Sequence, residues 1–296
     1  MGDIFSYDFI VRALLAGLVV GILCPAVGVF LVMRRYAFMA DTLAHVSLAG
    51  VALGMVLGVF PYLVTLAVVL AAAVSIERLR AAGRLHGEAV LALVMSSGLA
   101  LAVVLISLAR SFNVDIMSYL FGSILTVGPG DLLLILAVGV LVLGLLAYFY
   151  KELFFISFDE ECARVAGLPV DRLNMLFILM VALTVSVATR VVGALLVSAL
   201  MVIPVLTAQL LSSSFRRLFW LSLVLGVTVS FWGLFLSCRL GTAPGGSIVL
   251  LAAAFFVLAQ GGTAALRARR RRCLAGGARS RESGQPVPES HAFRRM

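Results

Sequence analysis

Long apolar runs, separated by short clusters of arginine, glycine and proline, divide the chain from residue 9 to residue 266. Nine of them reach or approach the roughly 20 residues that a helix needs to cross about 30 Å of hydrocarbon. They are 9–32, 37–59, 61–76, 88–109, 131–150, 172–189, 191–211, 217–238 and 247–266. The third and sixth are short, and only the region of Arg190 separates the sixth from the seventh. The pattern therefore predicts an all-α, polytopic membrane protein with eight or nine transmembrane helices. Gly, Ala and Ser recur within the runs, as in VVGALLVSALMVIPVLTAQLL (191–211). Small residues let helix backbones approach closely in lipid. Pro25 and Pro204 fall inside spans, where each kinks a helix and frees carbonyls. Ser198 and Gln209 are candidates to line a polar path.

Composition leaves no competing class. Of 296 residues, 62% are hydrophobic and 12% charged, against about 25% charged in soluble domains. The amino terminus carries neither a basic n-region nor a small-residue cleavage site, so the first apolar run is expected to stay as a span. The net charge of +9 looks like a nucleic-acid signal only until the arginines are mapped. With the amino terminus outside, the inward loops carry ten Lys and Arg and the outward loops four, before the arginine-rich tail is counted. Positive loops face the cytoplasm, so the expected topology is amino terminus outside and carboxyl terminus inside, with no nucleic-acid partner. Residues 1–266 form the expected transmembrane domain. RARRRR (267–272) opens a basic tail, 267–296, suited to anionic membrane lipid and too poor in apolar residues to predict a fold.

Candidate chemistry is sparse. Asp41 and His45 lie four residues apart on the second run and share one helix face. A carboxylate oxygen and an imidazole nitrogen are donors that first-row divalent metals accept, and ionisable groups inside a membrane are costly and usually functional. The bland alternative is a water-facing Asp at a helix end and a His hydrogen-bonded in the bundle. The one lysine, Lys151, stands between Tyr150 and Glu152, so the chain lacks the Gly-Lys-Ser/Thr of a P-loop. Cys24, Cys162, Cys238 and Cys273 show no CxxC spacing, which indicates neither a zinc cluster nor a disulfide framework.

The loop KELFFISFDEECARVAGLPVDR (151–172) differs from the others. Ser157 with Glu160 has capping-box spacing, Asp159 and Glu161 add acid to a first turn, and Gly167 followed by Pro169 supplies a stop. A helix of about two turns is expected between two spans. It is either a solvated connector or a docking helix with Phe158, Ala163 and Val165 to insert into a cytoplasmic partner.

With these pieces in place, the chain resembles the permease subunits of bacterial zinc/manganese-type ABC importers. The matching stretches are MRRYAFMADTLAHVSLAGVALG (33–54), DIMSYLFGSILTVGPGDL (115–132), SFDEECARVAGLP (157–169), VVGALLVSALMVIPVLTA (191–208) and TAPGGSIVL (242–250). The first and third, in this order and spacing, are the specific ones. The resemblance implies an importer-type ABC permease of the bacterial inner membrane. Asp41 and His45 would lie in its translocation path. The segment from Phe158 to Gly167, with Asp159, Glu160, Glu161 and Arg164, would be the helix that docks on the ATPase. It implies a cytoplasmic ATP-binding subunit, an extracytoplasmic metal-binding lipoprotein and a second permease protomer, identical or paralogous. No cofactor would be permanently bound; the cargo would be divalent manganese, zinc or iron. Two features depart from the family pattern: His86-Gly87-Glu88 stands where an acidic pair is common, and the arginine-rich tail lies outside the family core.

Other classes fit less well. A membrane metalloprotease needs HExxH or a similar two-histidine arrangement, and the three histidines are at 45, 86 and 291. A permease for a metal chelate, such as a siderophore or corrinoid, fits the span count but does not need a buried D-x-x-x-H. A proton-driven carrier should show more intramembrane acids than Asp41 and Glu88.

Overall fold

The computed structural model describes residues 8–83, 87–108, 116–122 and 128–282, and every element in it is a helix. Among the described residues, eight helices are long and apolar enough to cross a membrane. In chain order, α1 (Asp8–Met33), α2 (Ala37–Leu57), α3 (Pro61–Ala81) and α4 (Gly87–Leu108) precede the short α5 (Ile116–Phe121). Next come α6 (Pro129–Tyr148), α7 (Tyr150–Phe158), α8 (Glu160–Val165) and α9 (Val170–Val192). The chain ends with α10 (Val197–Leu211), α11 (Phe215–Leu240) and α12 (Pro244–Glu282).

The two expected short spans are full length, at 21 residues in α3 and 23 in α9. Charged residues masked their ends: Glu77 and Arg80 pair within α3, and Asp171 and Arg190 lie in the first and last turns of α9. The short helix is α10, whose 15 residues cover about 22 Å. Gly193 is the cause. It sits at φ 95°, a region where a β-carbon clashes, so α9 must stop there. The turn after it is pinned by α5, as the amides of Ala194 and Leu195 donate to the carbonyls of Tyr119 and Leu120. At the other end of the chain, α12 continues beyond Leu266 to Glu282, so the tail expected from residue 267 begins as a helical extension. Its Ala, Leu and Arg are good helix formers.

The bundle is organised around α1, α2, α9 and α10. In the core, Phe30, Leu31, Met39, Leu43, Phe177, Met180 and Leu200 are wholly enclosed. Helices α3 and α4 flank α2, while α6 and α11 flank α1. One end is tied by aromatic rings. Phe30 of α1 meets Tyr150, Phe177, Phe215 and Phe219, and Phe154 meets Phe215 at 4.6 Å between centroids. These contacts seat α7, and with it α8, on the ends of α1, α9 and α11. The opposite end is tied by charge: Arg190 of α9 pairs with Asp131 of α6, and its guanidinium lies 5.2 Å from the centre of the Tyr62 ring of α3.

Candidate functional site

The apolar pattern of α2 turns Ala40, Leu43 and Ala44 into the core and leaves Asp41 and His45 on a less crowded face. Their side chains stay 33% and 20% exposed. His45 Nε2 is 3.9 Å from Asp41 Oδ2, beyond hydrogen-bond length, so the two groups share a face without satisfying each other. The Ser198 hydroxyl of α10 donates to Asp41 Oδ1 at 3.1 Å. Asp41 thus has one oxygen oriented and one open, beside an imidazole and a hydroxyl. Among the described residues, no group of three or more His, Cys, Asp and Glu converges on one point. Two strong donors per chain fall short of the four positions of zinc or the six of manganese. Gln209, the other expected path residue, lies some 16 Å farther along α10 and reaches only Met33.

The segment expected to dock is two helices rather than one. Ser157 is not its cap. That residue lies inside α7, where its hydroxyl donates to the Leu153 carbonyl. Asp159 takes the cap position instead because its backbone is extended (ψ 104°) and its carboxylate accepts from the Cys162 amide at 2.9 Å. That bond holds the Asp159 carboxyl below its usual range, while a separate hydrogen bond from the Cys162 thiol to the same carboxylate pushes the thiol up. Gly167, at φ 86°, closes α8: its amide donates to the Arg164 carbonyl and that of Leu168 to Ala163, the paired bonds of a Schellman turn. Ala163 is buried against Ile156, Val170 and Leu173, so it anchors α8 rather than inserting elsewhere. Phe158 and Val165 are exposed, as are Asp159, Glu161 and Arg164, and Arg164 pairs with Asp171 at 2.9 Å. The result is a short, doubly capped helix that presents acids and Val165 at one end of the bundle, with Phe158 at the end of α7 exposed beside it.

The sequence model of the ABC 3 transport family matches residues 6–261. The chain belongs to the ABC 3 transport family. Within it, the chain is 32% identical over 243 residues to the high-affinity zinc uptake system membrane protein ZnuB of Haemophilus influenzae, covering 82% of this chain and 93% of that one. It is 33% identical over 244 residues to the manganese import system permease protein ScaB of Streptococcus gordonii, covering 82% and 87%. Among solved structures, a chain of PsaBC from Streptococcus pneumoniae in complex with Fab superposes with a TM-score of 0.77 at 34% identity, over 86% of this chain and 92% of that one.

Two features of this ABC 3 family chain escaped the sequence reading. Arg34, read there only as a loop charge, is drawn inward: its Nε donates to Ser157 Oγ at 3.1 Å and one terminal nitrogen donates to Asn174 Oδ1 at 2.8 Å. The available signal was Asn174 itself, a polar residue where an apolar run begins. Close by, a cavity of about 580 Å³ is lined by Arg34, Arg35, Arg80 and Glu88 among apolar residues. Three cations against one carboxylate make it a poor resting place for a metal cation. His86 and His291 lie outside the described residues.

Proposed function

We propose that this chain is the membrane-spanning subunit of an ABC importer that moves divalent manganese or zinc into the cell. The observation that carries the reading is the Asp41–His45 pair, two metal-type donors inside the bundle whose remaining valences are open while Ser198 orients the carboxylate. The names of the relatives favour free zinc and manganese over iron and over chelates. Hydrolysis of ATP belongs to a separate cytoplasmic subunit, a reading supported by the one lysine, Lys151, standing between Tyr150 and Glu152 in α7 rather than in a Gly-Lys-Ser/Thr sequence. That subunit docks on α8 and the end of α7 through Phe158, Val165, Glu160 and Glu161. An extracytoplasmic metal-binding lipoprotein delivers the cargo. A second permease protomer, identical or paralogous, or bound water supplies the donors that one chain lacks.

The arginines put the amino terminus outside and the carboxyl terminus in the cytoplasm. Termini on opposite sides require an odd number of crossings, so α10 and the turn at Gly193 must complete a ninth. The tail beyond Leu266 meets the inner leaflet through its arginines. The test is ATP-driven uptake of radioactive manganese or zinc by proteoliposomes holding the permease with its ATP-binding subunit. Uptake is expected with the wild type and abolished in Asp41→Asn and in His45→Ala. Near-normal uptake in both variants removes the site, and no ATP-driven uptake of either metal by the wild type removes the function.

A further inference from the structure

The turn between α1 and α2 is closed like a helix end that normally carries glycine. The amide of Arg35 donates to the Val32 carbonyl and that of Tyr36 to Leu31, with Arg35 itself at φ 61°. A residue with a β-carbon is disfavoured in that conformation, so the turn is held by its surroundings, and Arg34 is what holds it. Its guanidinium reaches Ser157 at the end of α7 and Asn174 in α9, and its central carbon lies 4.6 Å from the middle of the Phe177 ring. The remaining terminal nitrogen, Nη2, is enclosed and has no hydrogen-bond partner.

No carboxylate of the described residues comes within ion-pair reach of Arg34. A largely buried cation whose direct contacts are neutral acceptors and a ring face is an expensive arrangement. Burial pushes its pKa down to about 10, while the charges of Glu160 and Glu77 pull it back up and that of Arg80 lowers it further. Glu160 stands one residue away through hydrogen bonds. Asn174 gives its carbonyl to Arg34 and its amide hydrogen to Glu160 Oε1 at 3.2 Å. On its outer side Glu160 is 3.7 Å from Arg164, which is itself engaged by Asp171. The first acidic residue of α8 is therefore shared between an outer arginine and, through one amide, an inner arginine with a spare N–H.

We propose that Arg34 is a positioning residue that carries displacement of α8 to Asp41 and His45, by exchanging the Asn174-bridged contact with Glu160 for a direct ion pair at its unpartnered nitrogen. Asp41 follows Arg34 by seven residues, about 10 Å at helical rise, through a turn with no glycine in it. A shift of the guanidinium thus moves the start of α2 and the oxygen that Ser198 orients. The inference rests on the reading that α8 docks on the ATP-binding subunit.

The test uses the full complex in proteoliposomes with Arg34→Gln, Arg34→Lys, Glu160→Gln and the Arg34→Gln/Glu160→Gln double variant. Metal moved per ATP hydrolysed is expected to fall roughly tenfold in either glutamine variant and no further in the double, the signature of coupled partners. Arg34→Lys, which keeps the charge, restores part of the ratio. A second readout needs no metal: a spin label at Phe38→Cys, with Cys162, Cys238 and Cys273 changed to serine, is expected to change mobility on ATP binding and to lose that response in Arg34→Gln. Losses that multiply in the double variant, a label that ignores ATP in the wild type, or a response that survives Arg34→Gln overturn the proposal. A wild-type label that responds while no metal is moved, with the response lost in Arg34→Gln, supports the link and overturns the metal reading alone.

Discussion

Adjacent helices carry two pairs of ionisable residues at one-turn spacing, and they could hardly be used more differently. On α3, Arg80 donates twice to Glu77, at 3.0 and 3.1 Å, with the carboxylate only 6% exposed and the guanidinium 4.7 Å from the centre of the Tyr36 ring. Both oxygens of that carboxylate accept from Arg80 inside the protein. On α2, Asp41 and His45 are 3.9 Å apart and partly open, and the Ser198 hydroxyl satisfies one carboxylate oxygen alone. Sequence spacing treats the two pairs alike. What separates them is saturation: a pair that completes its own hydrogen bonds braces a bundle, whereas a pair that does not is free to accept a ligand.

Several substitutions break or sharpen that contrast. The largest effect is expected from Asp41→Asn and His45→Ala, which should eliminate metal uptake while thermal unfolding of the purified chain in detergent is little changed, because neither group is tied into a network. Next comes Glu77→Gln, with the opposite signature. Leaving Arg80 buried without its carboxylate should cost about 3 kcal/mol, seen as a lower unfolding midpoint and less folded protein, with uptake per folded molecule preserved. Ser198→Ala sharpens the picture of Asp41, since loss of a group that orients a metal ligand typically weakens metal affinity about tenfold; a raised KM for the metal with kcat intact is the expected reading. The smallest effect is expected from Asp171→Asn. Its bond to Arg164 is exposed on both sides, and such surface pairs contribute at most about 1 kcal/mol, so the unfolding midpoint should barely move. A large loss of stability in Asp41→Asn, or a normal midpoint in Glu77→Gln, would erase the distinction between the two pairs.

Much of this protein could be read along the chain because its strongest signals are local. A run of apolar residues predicts a crossing helix whatever surrounds it, since the hydrocarbon core demands length and internal hydrogen bonding from each span separately. The shared face of Asp41 and His45 follows from helical repeat alone, and the acid-first, glycine-last composition of residues 159–167 announces a short helix. Its cap is Asp159, two residues after the expected Ser157, because capping depends on which residue leaves helical geometry and not on composition.

The remaining decisions were made between distant parts of the chain. That Ser198 orients Asp41 depends on a contact across 157 residues, and that Arg34 turns inward depends on Ser157 and Asn174, which are 123 and 140 residues away. The short span proved to be α10 because the backbone of α5 pins the turn at Gly193. By itself the sequence determined the helices, their approximate ends and which ionisable groups lie on them. Only the tertiary structure decided which of those groups were saturated, because saturation is a property of what packs against a side chain, and hydrophobic periodicity carries no information about the partner.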